Sequence, residues 1–308
     1  MSRIDEALRQ SIRTEQPIED RFDHLTEELR PDAVESSMLD RFVIEGIAMP
    51  PSVPQPAPVF KTGEPPEPVS PPLKIPAGLE TKLVAGQNVS ALTVEQYRRL
   101  AAILHDLQAE HGLKTIMVTS AVPAEGKTLT VSNLALTLSE SYHQRVLLID
   151  ADLRRPSVHT VFGISNSAGL SELVAAGTTS MPVVQLSRYL SVLTAGRQVA
   201  SLLAMLTSER MRTVVDHAAA RFDWVLLDTP PVGLLPDAQL VARLTQGVLL
   251  VIGAGSTPYS LVQRAIAEVG PERVIGSVLN RVHNSSLSVD ESYGGYYSRY
   301  LTDGAGQP

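Results

Sequence analysis

Residues 114–128 read KTIMVTSAVPAEGKT. The run KTIMVTS is β-branched and apolar enough for a buried strand, and a helical pattern opens at Lys127. Between them lies Ser120-Ala121-Val122-Pro123-Ala124-Glu125-Gly126-Lys127-Thr128, a loop placed after a strand and before a helix, the setting of a phosphate-binding loop. There, backbone N–H groups and a helix N-terminus cradle phosphate, a lysine (Lys127) neutralises the outer phosphates, and a hydroxyl (Thr128) ligates Mg²⁺. Ala121 stands where the usual pattern begins with glycine, so the loop alone does not settle the matter.

Two further strand ends bear on it. VLLIDADLRRP (146–156) ends an apolar run on Asp150, with Asp152 two residues on. At a spacing of two the carboxylates are expected to project together, to repel each other and to favour a divalent cation between them. WVLLDTPP (224–231) ends another strand on Asp228, the position of a second magnesium-site carboxylate in P-loop proteins.

The same alternation continues. EQYRRLAAILHDLQ reads as a helix with a capping-box start at Thr93 and Gln96. LSVLTAG is followed by one long helix through SLLAMLTSERMRTVVDHAA, and a helix near DAQLVARL precedes GVLLVIG, a further helix and VIGSVLN. Continuous apolar strands separated by helices predict an α/β fold, a mostly parallel P-loop NTPase-type sheet with helices on both faces. Ligands then bind at the carboxyl ends of the strands.

Outside this region the character changes. Residues 1–48 are polar and acidic, with Ile4, Ala7, Leu8, Ser11 and Ile12 on one helical face, open to a fraying helix or a docking helix. Residues 49–76 hold 11 of the chain's 22 prolines, which predicts an extended linker. The expected P-loop domain covers 77–285 and a glycine-interrupted tail covers 286–308. That tail places Tyr293, Tyr296, Tyr297 and Tyr300, four of eight tyrosines, within eight residues. Glycines there argue against core rings and leave either modification sites or aromatic anchors for a partner.

The 308 residues carry a net charge of −7 with a pI near 5.5, which argues against nucleic acid as a partner. With no cysteine there are no disulfides or thiolate sites, as in a reducing cytoplasm. No stretch approaches the roughly 20 apolar residues of a membrane span, and MSRIDEALRQ lacks a signal-peptide core.

PAEGKT, LLIDADLRRP and LLDTPP in this order resemble the Walker A, A′ and B motifs of the bacterial tyrosine kinases of exopolysaccharide and capsule synthesis. The resemblance runs from about Glu95 to Arg281 and takes in GLSELVAAG, LTSERM, Asp237-Ala238 and GSVLNRV. It implies an ATP- and Mg²⁺-dependent protein-tyrosine autokinase in which Pro123, Ala124, Glu125, Gly126, Lys127, Thr128 and Leu129 bind phosphate. It implies further that Thr128, Asp152 and Asp228 organise Mg²⁺, that Asp150 accepts or orients the tyrosine proton, and that Asn280 and Arg281 lie near adenine.

Lys127, Asp150, Asp152 and Asp228 are thus the expected catalytic set, and Tyr293, Tyr296, Tyr297 and Tyr300 the phosphoacceptors. The implied partners are other copies of the chain and a transmembrane chain-length or co-polymerase activator that brings a cytoplasmic kinase to the inner face of the plasma membrane.

The chain also departs from the family. Ala124 replaces a frequent glycine, Ala101 stands at the third position of a Glu95-Arg98 subunit-packing pattern, and GRQVASLLAMLTSERM lacks a frequent Asn-Pro. Val122 stands where the related positioning ATPases carry a second lysine that reaches a dimer partner's phosphates. A positioning ATPase and a nucleotide-controlled adaptor are the competing functions.

Overall fold

A computed structural model describes residues 75–86, 88–177 and 180–282. The polar N-terminal segment, all but the last two residues of the proline-rich stretch, and the tyrosine cluster lie outside the described residues.

Helix α1 (Ala91–His111) begins earlier than Thr93 and Gln96 suggest. Ser90 is the N-cap, its Oγ accepting from the Thr93 N–H at 3.1 Å, so Thr93 lies inside the first turn. Strand β1 (Thr115–Ser120) leads through the loop into α2 (Lys127–Ser141). Strand β2 (Val146–Asp150) is followed by two short helices, α3 (Val158–Phe162) and α4 (Leu170–Ala176). Then come β3 (Val184–Gln185) and β4 (Leu190–Leu193).

The single long helix expected next is two, α5 (Leu202–Leu206) and α6 (Glu209–Arg221). The Thr207 hydroxyl donates to the Leu203 carbonyl at 2.8 Å, and Ser208 caps α6 by accepting from the Met211 N–H at 3.2 Å. Local hydroxyl bonding at adjacent residues ends one helix and starts the next. Strand β5 (Trp224–Asp228), α7 (Asp237–Ala242), β6 (Gly247–Gly253), α8 (Tyr259–Val269) and β7 (Val274–Asn280) complete the order.

The sheet runs β3-β4-β2-β5-β1-β6-β7. Every neighbouring pair is parallel except the antiparallel β3–β4 pair. A two-residue edge strand leaves too little pattern to read from sequence.

The predicted two-sided cover is present. Met117, Leu147, Ile149, Val225, Leu227, Val248 and Leu250 point into the core under α4 to α8. Ile116, Val118, Leu148, Leu226, Leu249 and Val251 point into the other, under α1, α2 and α3. Strand residues alternate between faces, but both faces are apolar, which is why the strands read as unbroken hydrophobic runs.

The central order β2-β5-β1-β6 brings the carboxyl ends of β1, β2 and β5 together; Asp150 pairs in register with Asp228. Among the described residues no helix is long and apolar enough to cross a membrane.

Candidate active site

At the crown of the loop Pro123 and Ala124 are exposed, Glu125 is buried, and Gly126 to Leu129 are half-buried. The backbone turns into α2 through Ala124 at φ 66° and Gly126 at φ 91°. Only glycine takes that conformation freely, which accounts for Gly126. It also explains why glycine suits position 124.

The Glu125 side chain braces the loop. Its Oε2 accepts from the Val122 N–H at 2.9 Å, and its Oε1 accepts from the Gly253 N–H at 2.8 Å and from the Thr257 hydroxyl. The carboxylate therefore ties the loop to the end of β6. Expected as a phosphate-cradle residue, Glu125 directs its side chain inward.

From β7, Asn280 donates through Nδ2 to the Glu125 carbonyl at 2.7 Å and covers Gly126. Arg281 follows, exposed, at φ 60°. Of the two residues expected near adenine, Asn280 thus contacts the loop, and Arg281 donates its N–H to Asn280 Oδ1 at 2.9 Å.

Lys127 Nζ lies 3.3 Å from Asp152 Oδ2. The Thr128 hydroxyl donates to Asp228 Oδ2 at 2.7 Å and lies 3.0 Å from Ser157 Oγ. Lys127, Thr128, Asp152 and Asp228, drawn from three segments of sequence, are joined here by direct contacts. Asp150 adjoins them.

The structure corrects one part of the expectation for Asp150 and Asp152: they do repel each other, but neither is unpaired. Asp150 Oδ1 accepts from the Asp152 N–H at 3.2 Å, and Oδ2 accepts from the N–H groups of Ser157 and Val158, each at 3.0 Å. The chain turns back after β2 and wraps its own amides around the first carboxylate, while the second pairs with Lys127. Burial pushes Asp150 up to about 6 against those three backbone hydrogen bonds, with the Asp152 charge adding to the rise.

Asp228 is more exposed to this conflict of forces. It is wholly buried, and burial pushes it up to about 7 although the Lys127 charge and the Thr128 hydroxyl favour its ionised form. Its Oδ1 has no hydrogen-bond partner. A buried carboxylate oxygen without a donor is costly, and a cation beside Thr128 and Asp152 would satisfy it. The donor set is all oxygen, as magnesium prefers. Among the described residues no three His, Asp or Glu side chains form a metal cage by themselves, so water and phosphate oxygens would complete the shell.

A second ion pair anchors the same rim. Arg154 Nε donates to Asp237 Oδ2 at 2.5 Å and Nη2 to Oδ1 at 3.2 Å, tying the segment after β2 to the buried first turn of α7. Beside it a cleft of about 480 Å³ is lined by Leu153, Arg154 and residues 198–203.

No family model matches the chain. The tyrosine-protein kinase YwqD of Bacillus subtilis is 32% identical over 222 residues, covering 71% of this chain and 92% of its own length. This chain belongs to the bacterial tyrosine kinases.

The etk kinase of Escherichia coli K12 is 34% identical over 204 residues, covering 65% of this kinase and only 28% of its own length. The solved kinase domain of Escherichia coli ETK superposes with a TM-score of 0.57 at 32% identity, over 62% of this kinase and 77% of that chain. The chain is accordingly a protein-tyrosine kinase with a nucleotide-binding P-loop.

Sequence reasoning missed the Glu125 brace, the Arg154–Asp237 pair and Ser157. The first two left a charged residue inside or beside a motif, but their partners, 83 to 132 residues away, left no local trace. A serine seven residues past Asp150 gave no signal.

Proposed function

We propose that this kinase uses ATP and Mg²⁺ to phosphorylate the tyrosine cluster of another copy of itself, at Tyr293, Tyr296, Tyr297 and Tyr300. The observation that supports this reading most is the contact set Lys127–Asp152 and Thr128–Asp228 beside a buried Asp150. Phosphoryl transfer depends chiefly on positioning and on neutralising charge. Lys127 would hold the outer phosphates, Thr128, Asp152 and Asp228 would hold the cation directly or through water, and residues 123–129 would form the phosphate cradle.

Bound there, the nucleotide would supply the phosphoryl group. Asp150, raised to about 6 by burial, would accept the tyrosine proton or orient the hydroxyl near neutral pH. The cleft along Leu153 and Arg154 offers an acceptor peptide apolar surface and a fixed cation on the same rim. Asn280 and Arg281 would border the adenine.

Residues 1–48 and the linker at 49–76 would tether the domain of 77–285 to a transmembrane chain-length or co-polymerase partner at the inner face of the membrane, and 286–308 would serve as the acceptor tail. Each phosphate adds roughly −1.5 to −2 charges to an already acidic chain. Copies would therefore assemble unmodified and separate once modified, regulating exopolysaccharide or capsule polymerisation and export.

The test is mass spectrometry after incubation with MgATP, beside Lys127→Met and Asp150→Asn. Phosphate on the 293–300 cluster of the wild type, absent from both variants, is expected. An unmodified wild type in the presence of an activator fragment would overturn the reading.

A further inference from the structure

Ser157 touches both Thr128 and Asp150. Its Oγ lies 3.0 Å from Thr128 Oγ1, and its N–H donates to Asp150 Oδ2 at 3.0 Å. The direction of the hydroxyl contact follows from proton counting. A threonine hydroxyl has one proton and two lone pairs. With Asp228 ionised, as it must be to face a cation, Thr128 gives its proton to Asp228 Oδ2 at 2.7 Å, so it accepts from Ser157. One lone pair of Thr128 Oγ1 is then occupied and one is left.

We propose that Ser157 is a positioning residue for the divalent cation, its donated hydrogen bond setting the rotation of the Thr128 hydroxyl so that the remaining lone pair is offered to the metal. This rests on the reading in which Thr128 ligates Mg²⁺ together with the nucleotide. Without the Ser157 proton the Thr128 hydroxyl keeps one anchor, Asp228, and can turn about that bond. With both, it is fixed before any cation arrives. Partners that orient a metal ligand in this way set affinity for the metal more than affinity for the rest of the ligand.

Ser157 is itself held in place. It follows Pro156 and stands at the N-cap position just before α3, and its backbone N–H bond to Asp150 belongs to the same turn that satisfies Asp150. That bond uses the main chain, so Ser157→Ala removes the hydroxyl while leaving the Asp150 anchor intact. The two roles of the residue can therefore be separated by one substitution.

The test is binding of a fluorescent ADP analogue to the full chain, titrated with MgCl₂ and repeated in EDTA. For Ser157→Ala the Mg²⁺ concentration at half-maximal binding is expected to rise about ten-fold, with binding in EDTA unchanged from wild type. Ser157→Thr, which keeps the hydroxyl, is expected to restore the wild-type midpoint.

An unchanged midpoint in Ser157→Ala would overturn the proposal. So would an equal loss in EDTA and in Mg²⁺, or a loss that Ser157→Thr shares, since either would mark a packing role. A wild type whose ADP binding ignores Mg²⁺ would instead overturn the underlying assignment of Thr128, and the proposal with it.

Discussion

The Asn280 side-chain amide sits where a side chain at Gly126 would have to go. Its Nδ2 donates to the Glu125 carbonyl at 2.7 Å, and a Cβ at residue 126 would stand 2.1 Å from that same nitrogen. The last strand thereby clamps the phosphate loop beside Glu125's own carboxylate bonds to Gly253 and Thr257, Gly253 being the register partner of Asn280.

Asn280→Ala should destabilise the protein by about 1 kcal/mol, the worth of one hydrogen bond whose acceptor is left behind. Gly126→Ala should cost more, because it adds strain at φ 91° to the collision with Asn280. The double variant should be less destabilised than the sum of the two, since removing Asn280 removes the collision. Urea unfolding of the four proteins measures the coupling directly. Strict additivity would mean that the two residues do not touch.

Ala124 holds a left-handed backbone, φ 66°, at roughly 1–2 kcal/mol for a residue with a Cβ. Ala124→Gly removes that strain but loosens the unfolded chain by about 0.4–1 kcal/mol. A net stabilisation of about 0.5 kcal/mol is expected. Ala124→Val, β-branched at the same φ, should lose stability instead. Denaturant midpoints at constant slope check both signs.

These loop angles mark the limit of what could be read in the sequence. Strands β1, β2, β5 and β6 were legible because burial on both faces leaves them continuously apolar, the partly exposed edge strand β7 from its Val and Ile residues, and the three motifs because each closes a buried strand. The Glu125 brace was not, since Gly253 and Thr257 lie more than a hundred residues away. Nor was the state of Asp150. Its three backbone donors come from a turn whose shape depends on how α3 packs, so two carboxylates that looked unpaired in sequence are not. The break between α5 and α6 was present in Thr207 and Ser208, but helical periodicity on both sides concealed it.

Asp223 gives a pH-dependent handle on the register of β2 and β5. It accepts from the Arg145 N–H at 2.9 Å, from Nε at 3.2 Å and from Nη2 at 2.8 Å. Burial raises its pKa, but the Arg145 hydrogen bonds and the charges of Arg145 and Lys114 outweigh it, so the carboxyl stays below its usual range. A carboxylate lowered in the folded state contributes stability above its unfolded pKa and loses it as pH falls through the folded value. Asp223→Asn should cost about 1 kcal/mol at pH 7, screened because Arg145 is half exposed. The difference from wild type should shrink as pH falls below the ordinary carboxylate range toward the lowered folded value. Urea unfolding at pH 7 and pH 3 is the measurement.

Asp228 carries the opposite sign. Its pKa is raised to about 7, first by burial and then by the charges of Asp150 and Asp152, against Lys127 and Thr128. The folded state therefore holds a proton that the unfolded chain releases near pH 4, so stability falls as pH rises from the ordinary carboxylate range through about 7. Above that window the ionised group remains buried with Oδ1 unpartnered.

Asp228→Asn removes the charge and should stabilise the nucleotide-free protein at pH 8 by about 1–3 kcal/mol, with little effect at pH 4. Added ADP and Mg²⁺ should reverse the ranking, because a cation relieves the wild-type carboxylate and has nothing to bind in the amide. Thermal unfolding of both proteins at the two pH values, with and without ADP and MgCl₂, separates these cases. A less stable Asp228→Asn at pH 8 without nucleotide would show that the carboxylate is adequately solvated where it stands. A more stable variant that still gains fully from Mg²⁺ would show that Asp228 does not face the cation.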